Sequence, residues 1–291
     1  MILNFGSCCI DHVYQVPYFV KPGETLPDMN YEVHPGGKGL NQSLAMANAG
    51  ATVVHAGKIG RDGLWLKDLL ESADVDTRPL SVVEDATGHA IIQVTPEGEN
   101  AIIIHGGTNK LIDEAEVARV IAESNASTLL IQNELSATGT MIEFASSKQM
   151  EIVFNAAPMT AVVTDYPLQL ISCFIVNELE AAALTGEKDT AKVITAMQEK
   201  FPAAETILTL GARGAVYAHK GLVIEQAAYS IGDVVDTTGA GDTFTGFYLA
   251  ARQRGEDPAT GLAEACRAAA LCVTKPGAAS SIPTREAIHR T

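Results

Sequence analysis

Short apolar runs rich in Val, Ile and Leu alternate along this chain with longer stretches in which apolar residues recur every three or four positions. The short runs predict buried β-strands, and the longer stretches predict helices with one apolar face. The predicted strands include 52–56, 128–132, 152–155, 174–176 and 206–210, and the predicted helices include 39–49, 113–122, 138–148, 178–184, 190–200, 242–252 and 258–273. This alternation predicts an α/β fold with a mainly parallel sheet, in which ligands bind at the carboxyl ends of the strands.

Two segments interrupt the alternation. The segment 87–105 predicts a β-hairpin whose turn is the polar stretch PEGEN at 96–100. The segment 13–34 contains three prolines and few helix signals. We expect both to form a small antiparallel lid outside the main sheet, because long irregular segments in compact domains commonly serve function. An ordinary edge hairpin for 87–105 and a loop for 13–34 are the alternative.

Composition narrows the class of protein. A chain of 291 residues with 47% hydrophobic and 19% charged residues is typical of a globular domain with a large core, and no interdomain linker stands out. The formal net charge of -15 argues against nucleic-acid and anionic-membrane partners. The N-terminus lacks the basic and apolar regions of a signal peptide, and no uncharged run approaches the ~20 residues of a membrane span. We therefore expect a cytoplasmic location.

The five cysteines include no CxxC pair and no Cys/His group with zinc-ligand spacing. We expect them to be reduced and mostly buried.

The most informative stretch is DTTGAGDT at 236–243, directly before an apolar run. Its glycines let the main chain approach a ligand closely, and the free N–H groups at a helix start attract anions. Asp242 lies where that helix is predicted to begin. A carboxylate in an anion site is well placed to take a proton from a hydroxyl that attacks a phosphate, so the stretch indicates phosphoryl transfer.

A second glycine-rich stretch, GGKGLNQ at 36–42, leads into the first predicted helix. It is not a Walker A loop, because Lys38 follows no GxxxxG frame and precedes Gly39 rather than Ser or Thr. Alone, the stretch fits a tight helix-entry turn as well as a loop around a hydroxyl-rich ligand, for which Asn41 offers donors and acceptors.

Three more polar positions follow predicted strands. Asn177 and Glu180 share one helix face, which suits either Mg²⁺ held through waters or a helix N-cap with an acidic first turn. The stretch TLGARG at 209–214 fits a nucleotide-lining loop or a plain β-turn. Asp11, which we place at the end of the first strand, fits a carboxylate that accepts hydrogen bonds from two sugar hydroxyls or an exposed acid in a turn.

Together these motifs resemble the PfkB-type carbohydrate kinases and, among them, the ribokinases. The match follows nearly the whole chain in order, through PGET at 22–25, GGKG at 36–39, EGEN at 97–100, NELE at 177–180 and DTTGAGDT at 236–243. The resemblance implies a single kinase domain over 1–291 with the ribokinase-like three-layer α/β/α fold. It also implies a β lid, formed by about 12–36 and 87–105, that closes over the sugar and often joins two subunits as a homodimer.

The resemblance assigns a role to each motif residue. Asp242 would be the catalytic base, with an anion hole made by the N–H groups of Gly239, Ala240 and Gly241. The sugar would contact Asp11, Gly37, Lys38, Gly39, Asn41 and Glu134. ATP would lie along Asn177, Thr209, Gly211, Gly214 and Gly241, and Glu180 would lie near the waters of Mg²⁺. A K⁺ site, mostly of main-chain carbonyls, would comprise Asp236, Thr238, Cys272, Lys275, Gly277 and Ser281.

The implied activity is the ATP-dependent phosphorylation of the primary hydroxyl of a pentose or a similar sugar. A nucleoside kinase of the same superfamily and a catalytically silent sugar-binding regulator are the alternatives. The chain departs from the ribokinase pattern at two positions. Cys9 replaces an Asn that contacts the sugar, which removes one hydrogen-bond partner and puts the choice of sugar in doubt. Cys266 replaces an Asn or His near the adenine, which puts base selectivity in doubt.

Overall fold

The computed structural model describes residues 1–290. Its strands are β1 (Ile2–Phe5), β2 (Cys9–Gln15), β3 (Asn30–Gly36), β4 (Val53–Gly60), β5 (Leu80–Val83), β6 (Gly88–Val94), β7 (Asn100–His105), β8 (Thr128–Gln132), β9 (Glu151–Asn155), β10 (Cys173–Asn177), β11 (Glu205–Thr209), β12 (Ala215–His219) and β13 (Leu222–Gln226). Its α-helices are α1 (Lys38–Asn48), α2 (Leu64–Ser72), α3 (Glu114–Glu123), α4 (Thr138–Ser147), α5 (Glu178–Thr185), α6 (Thr190–Lys200), α7 (Ala240–Gln253), α8 (Pro258–Cys272) and α9 (Arg285–His289).

The main sheet has nine strands in the order β13-β12-β11-β10-β9-β8-β1-β4-β5. The strands from β11 to β5 pair in parallel, and β12 and β13 add an antiparallel edge. The prediction of a mainly parallel sheet is therefore confirmed.

Helices cover both faces of this sheet. In β10, Cys173 and Ile175 belong to the apolar core on one face, while Phe174 and Val176 belong to the core on the other. Because successive side chains of a strand point to opposite faces, a strand buried on both sides is apolar throughout. Helices α1, α7 and α8 pack on the first face and α3, α4 and α6 on the second, which makes a three-layer α/β/α fold.

A second sheet of four strands, in the order β3-β2-β6-β7, contains most of the segment 87–105 and both ends of the segment 13–34. Its pairs β2–β3 and β6–β7 are antiparallel, whereas β2 and β6 pair in parallel. The prediction that this unit is antiparallel throughout is therefore wrong at its centre. The chain leaves the β2–β3 pair to build the main sheet and returns as β6, so β6 runs in the same direction as β2.

The predicted position of Asp11 is also wrong. We expected it at the end of the first strand, but the first strand ends at Phe5 and Asp11 lies inside β2, opposite His34 of β3. The chain passes from the main sheet into the small sheet within three residues, and this change of sheet leaves no signal in an apolar run that continues through Ile10. Asp11 is therefore carried by the small sheet.

Candidate active site

A cavity of about 220 Å³ opens at the carboxyl ends of the central parallel strands. It is lined by Lys38, Asn155, Ala157, Ile175, Val176, Asn177, Glu180, Thr209, Thr237, Gly239, Gly241, Asp242 and Thr245. Sequence motifs from four distant parts of the chain thus meet at one place. The topology explains why, because parallel strands end at the same edge of the sheet.

Asp242 lies in the first turn of α7 and is only 7% exposed. Its Oδ2 accepts a hydrogen bond from Asn41 Nδ2 at 3.1 Å, and its Oδ1 accepts one from Gln42 Nε2 at 2.8 Å. Both donors are neutral amides. The pKa of the nearby Lys38 ammonium is raised, chiefly by the negative charge of Asp242. The side chain of Asp242 is therefore fixed in place next to a cation.

The start of α7 presents free N–H groups. Gly239, the N-cap residue, has a φ of 76°, and a Cβ there would lie 2.9 Å from Ala278 Cα. Within residues 1–290, the N–H groups of Gly239, Gly241 and Asp242 have no hydrogen-bond acceptor, whereas Ala240 donates to the carbonyl of Thr237 at 3.3 Å. A helix start of this kind favours an anion. Because α7 begins at Ala240, the second half of the motif forms the first turn of the helix, and residues 236–239 form the loop before it.

A second group of polar atoms lies where the small sheet meets α1. Glu134 Oε2 accepts the Lys38 N–H at 3.0 Å and also the hydroxyl of Ser7. The pKa of Asp11 is raised to about 6, mainly by burial and then by the negative charge of Glu134, with His34 opposing the shift. Asp11, Glu134 and Lys38 therefore form one group, as their assignment to a single ligand requires.

Cys9 is partly buried beside this group. Its Sγ lies 3.5 Å from Nδ2 of Asn109, which also hydrogen-bonds the N–H and carbonyl of Cys8. Burial, followed by the charges of Glu134 and Asp11, raises the pKa of the Cys9 thiol well above its usual value. The thiol is therefore protonated, and it offers a ligand only a weak hydrogen bond.

Asn177 and Glu180 form a reciprocal helix cap. Glu180 N–H donates to Asn177 Oδ1 at 2.9 Å, and Glu180 Oε2 accepts the Asn177 N–H at 2.9 Å. The helix-cap alternative is therefore confirmed, yet the same carboxylate lines the cavity, and burial raises its pKa. Within residues 1–290 no group of three or more His, Cys, Asp or Glu side chains could hold a metal. The Glu180 carboxylate alone fits an Mg²⁺ ion that keeps waters and phosphate oxygens as most of its ligands.

The loop after β11 is only partly in the cavity. Thr209 lines the cavity. Gly211 begins a short 3₁₀ turn and is not among the residues that line the cavity. Gly214 has a φ of 102°, and a Cβ there would lie 1.9 Å from the carbonyl oxygen of Gln226. Glycine at 214 is thus required by the pairing of β12 with β13, whatever the loop binds.

The residues assigned to a K⁺ site lie together. Asp236 accepts hydrogen bonds from the Thr238 N–H at 2.9 Å and the Gly277 N–H at 2.8 Å. Cys272 Sγ lies 2.9 Å from Ser281 Oγ and 3.9 Å from the Thr238 carbonyl oxygen, and the Lys275 N–H donates to the Cys272 carbonyl. The loop before α7 and the end of α8 thus form one ordered unit with several carbonyl oxygens, which fits a monovalent cation.

Sequence reasoning missed three polar residues at the site. Gln42 and Asn155 are hydrogen-bonded beside Asp242, and Ser7 is bonded to Glu134. One signal was available for Gln42. Asn41, Gln42 and Ser43 are consecutive polar residues at the start of an otherwise apolar helix, and all three are buried. Three adjacent polar side chains cannot all lie on the solvent face of a helix.

A larger cavity of about 670 Å³ lies between α6, β12 and β13. Its charged residues include Asp189, Arg213 and Glu225, and Arg213 is paired with Glu178 at 2.5 Å. Its two lining carboxylates, Asp189 and Glu225, are exposed, whereas Glu180 and Asp242 of the smaller cavity are buried.

The fold and the site define a kinase that acts on alcohol groups: a buried carboxylate stands at an anion-binding helix start, beside a cation and below a small sheet. The model of the pfkB family carbohydrate kinases matches residues 1–285. The chain belongs to this family.

Relatives agree with the assignment. A ribokinase from Haemophilus influenzae is 37% identical, over 97% of this chain and 94% of its own length. The ribokinase from Cryptococcus neoformans, solved with ADP, is 34% identical with a TM-score of 0.88, and the match covers 99% of this chain and 98% of that one. The Arabidopsis thaliana ribokinase, solved with ribose and ATP, is 27% identical with a TM-score of 0.91. The match covers 99% of this chain and 97% of that one. The ribokinase-like fold is therefore confirmed. No helix within residues 1–290 is long and apolar enough to cross a membrane.

Proposed function

We propose that this chain transfers the γ-phosphoryl group of ATP to the primary hydroxyl of a pentose, with ribose as the first candidate. The observation that carries the proposal is Asp242, a buried carboxylate whose two oxygens are held by amides at a helix start with free N–H groups. A base at that position serves a hydroxyl that attacks a bound phosphate.

In the proposed reaction Asp242 orients the hydroxyl in line with the γ-phosphorus and accepts its proton late. The hydroxyl oxygen forms the new P–O bond, the bond to the β–γ bridging oxygen breaks, and ADP leaves. The amides of Gly239, Ala240 and Gly241 stabilise the charge on the phosphoryl group as it is transferred, with Ala240 exchanging its weak bond to Thr237. Glu180 would hold Mg²⁺ through the waters of the ion, which would supply positive charge next to the phosphates.

The sugar is assigned to the group that contains Asp11, Lys38 and Glu134, together with the backbone of Gly37 and Gly39. Asn41 supports this assignment, because its Nδ2 holds Asp242 while its buried Oδ1 has no hydrogen-bond partner within residues 1–290. An orphaned buried acceptor costs free energy, and a sugar hydroxyl would satisfy it. ATP is assigned to Asn177, Thr209, Gly211 and Gly214, on the other side of Asp242.

We assign the K⁺ site to the unit that contains Asp236, Thr238, Cys272, Lys275, Gly277 and Ser281. A cation there would order the loop that precedes α7 and so hold the anion hole in place. The expected result is faster turnover in K⁺ than in a bulky organic cation at equal ionic strength. Equal rates would reject the site.

We also propose that the small sheet is the lid and that it joins two copies of the chain. One row across its four strands consists of Val33, His12, Ile91 and Ile103, and the three aliphatic members are exposed. An exposed apolar row of this kind favours burial against a partner surface.

A coupled assay of ADP formation with ribose, deoxyribose, fructose, adenosine and pseudouridine tests the proposal. We expect the highest kcat/KM with ribose. Activity with nucleosides alone would replace the proposal by a nucleoside kinase, and ADP formation without any dependence on a sugar or a nucleoside would contradict both.

A further inference from the structure

We infer that Gln42 is a positioning residue that holds the Asp242 carboxylate, through an amide whose orientation is fixed by a buried hydrogen-bond network. The inference rests on the proposed function of Asp242. Gln42 is 0% exposed and is not among the residues that line the cavity, so it acts on the reaction only through the lining residues it holds, Asp242 and Asn155.

Both N–H groups and the oxygen of the Gln42 side-chain amide are hydrogen-bonded. Nε2 donates to Asp242 Oδ1 at 2.8 Å and to Asn155 Oδ1 at 2.9 Å. Oε1 accepts from Gln132 Nε2 at 2.7 Å. No freedom is left for the amide to rotate without breaking one of these bonds.

Backbone carbonyls set the direction of donation at both ends of the network. Asn155 Nδ2 donates to the carbonyl of Ile175 at 2.8 Å, so Asn155 turns its oxygen toward Gln42. At the other end, Asn4 Nδ2 donates to the carbonyl of Gly39 at 2.8 Å, so Asn4 turns its oxygen toward Gln132. A carbonyl can only accept, so each amide in turn can take only one orientation.

The orientation of Gln132 follows from that of Asn4. Gln132 Nε2 donates to Asn4 Oδ1 at 3.0 Å and also to Gln42. Gln42 must therefore present an oxygen to Gln132 and N–H groups to Asp242 and Asn155. The network thus ensures that Asp242 Oδ1 receives a donor from Gln42.

The far end of the network stays neutral. Asn4 also donates to Ser43, whose hydroxyl lies 2.8 Å from Nδ1 of His55. Burial lowers the pKa of His55 to about 4, so the imidazole carries no charge near neutral pH. The charged groups near Asp242 are then Lys38 of α1 and Glu180 of α5, and neither belongs to the network.

Gln42 is a different kind of neighbour from Asn41. Asn41 also holds Asp242 but is assigned to the sugar, so a change there alters binding and positioning together. A change at Gln42 touches none of the residues assigned to the sugar, and it removes the bonds that hold Asp242 and Asn155. The expected signature is a lower kcat at an unchanged KM for the sugar, which marks an interaction made in the transition state.

The experiment compares Gln42→Met, Gln42→Glu and the control Gln198→Met in the ribose assay. Gln42→Met keeps the volume and removes the donor, and we expect kcat to fall roughly 10-fold to 10²-fold with KM unchanged. Gln198 donates to the Ala204 carbonyl and to Thr206 from α6, away from the cavity. Its Met variant should lower the melting temperature and leave kcat as in the wild type.

Gln42→Glu has the same shape as the wild-type side chain and keeps the packing. It can therefore test the inference even if the Met variant does not fold. It places a second carboxyl at hydrogen-bond distance from Asp242, and two such groups cannot both ionise easily. We expect the acid limb of the kcat profile to move up by about one pH unit or more. A ¹³C NMR titration of the Asp242 carboxyl, assigned with Asp242→Asn, should show the same upward shift without any turnover.

Wild-type kcat in Gln42→Met would overturn the inference, and so would an Asp242 titration that Gln42→Glu leaves unchanged. If the wild-type protein phosphorylates no sugar, the proposed function fails instead, and the NMR titration still decides whether Gln42 controls the Asp242 carboxyl.

Discussion

Asp242 and Asp11 are both acidic residues at the site, but their surroundings differ. Asp242 accepts hydrogen bonds from two neutral amides, and its charge faces the ammonium of Lys38. Asp11 is buried near a second carboxylate, and its pKa is raised to about 6. Asp11 therefore changes its protonation near pH 6.

The first prediction concerns Asp242→Asn. The amide keeps the size of the side chain and loses the basic oxygen, so the fold should survive while proton transfer is lost. We expect kcat to fall by a factor of ~10² to 10⁴ with little change in melting temperature. Turnover close to the wild-type rate would remove Asp242 from the role of base.

The second prediction concerns pH. A protonated Asp11 accepts hydrogen bonds poorly, so kcat/KM for the sugar should fall as pH decreases through about 6, the pKa of the free protein. Asp11→Asn should have a lower kcat/KM that does not fall further as the pH decreases through about 6. If kcat/KM of the variant still falls in this pH range, another group is responsible for the fall.

At the scale of the element, the start of α5 contributes both to helix stability and to the candidate site. Asn177 caps the helix and fixes both oxygens of Glu180, which in turn lines the cavity. Loss of the cap therefore changes stability and the position of a carboxylate at once.

The third prediction separates these two effects. Asn177→Ala should cost about 1 kcal/mol of unfolding free energy and raise the KM for ATP. Asp189→Ala removes a comparable cap from α6, where Asp189 accepts the Ala191 N–H at 3.0 Å. It should cost a similar free energy and leave KM unchanged. Equal KM values in the two variants would show that Asn177 only caps the helix.

Elements with strong periodicity were predictable from the sequence. The strand Thr128–Gln132 and the helix Thr190–Lys200 were predicted with their observed bounds, because both carry a clear period and definite ends. The hairpin of β12 and β13 was not predicted, because β13 is mostly exposed and carries no alternation. The start of α7 was placed two residues late, since Gly239 in a left-handed conformation allows the helix to begin inside the glycine motif.

Site residues that belong to a sequence motif were predictable, and site residues that only the tertiary structure brings together were not. The motifs supplied Asp242, Lys38 and Glu180. Gln42 ends the GGKGLNQ stretch, which does not indicate its role, and Gln132 belongs to no motif. The role of both depends on the pairing of β1 with β8 and on the packing of α1. Those contacts join residues far apart in the chain, so local sequence patterns do not reveal them.

At the scale of the whole molecule, the small sheet carries the exposed apolar row of the proposed interface. Ile103 is 67% exposed in β7, and Ile91 lies beside it in β6. Edge strands and exposed apolar rows in natural proteins are commonly covered.

The fourth prediction is that Ile103→Asp converts a dimer into a monomer, because it places a charge in the proposed interface. Light scattering coupled to size exclusion measures the mass. Leu222→Asp is the matched control, since Leu222 is an exposed apolar residue at the far edge of the main sheet. A wild-type protein that is already monomeric at micromolar concentration would reject the interface.

The most direct test of the central claim is the structure of the product. The purified protein is incubated with ATP, Mg²⁺, K⁺ and ¹³C-labelled ribose, and the product is observed by ³¹P and ¹³C NMR. We predict a phosphomonoester on the primary carbon, seen as carbon–phosphorus coupling at that position, with one ADP formed for each product molecule and none formed by Asp242→Asn. Phosphate on another hydroxyl, or no sugar phosphate while ATP is consumed, would contradict the account.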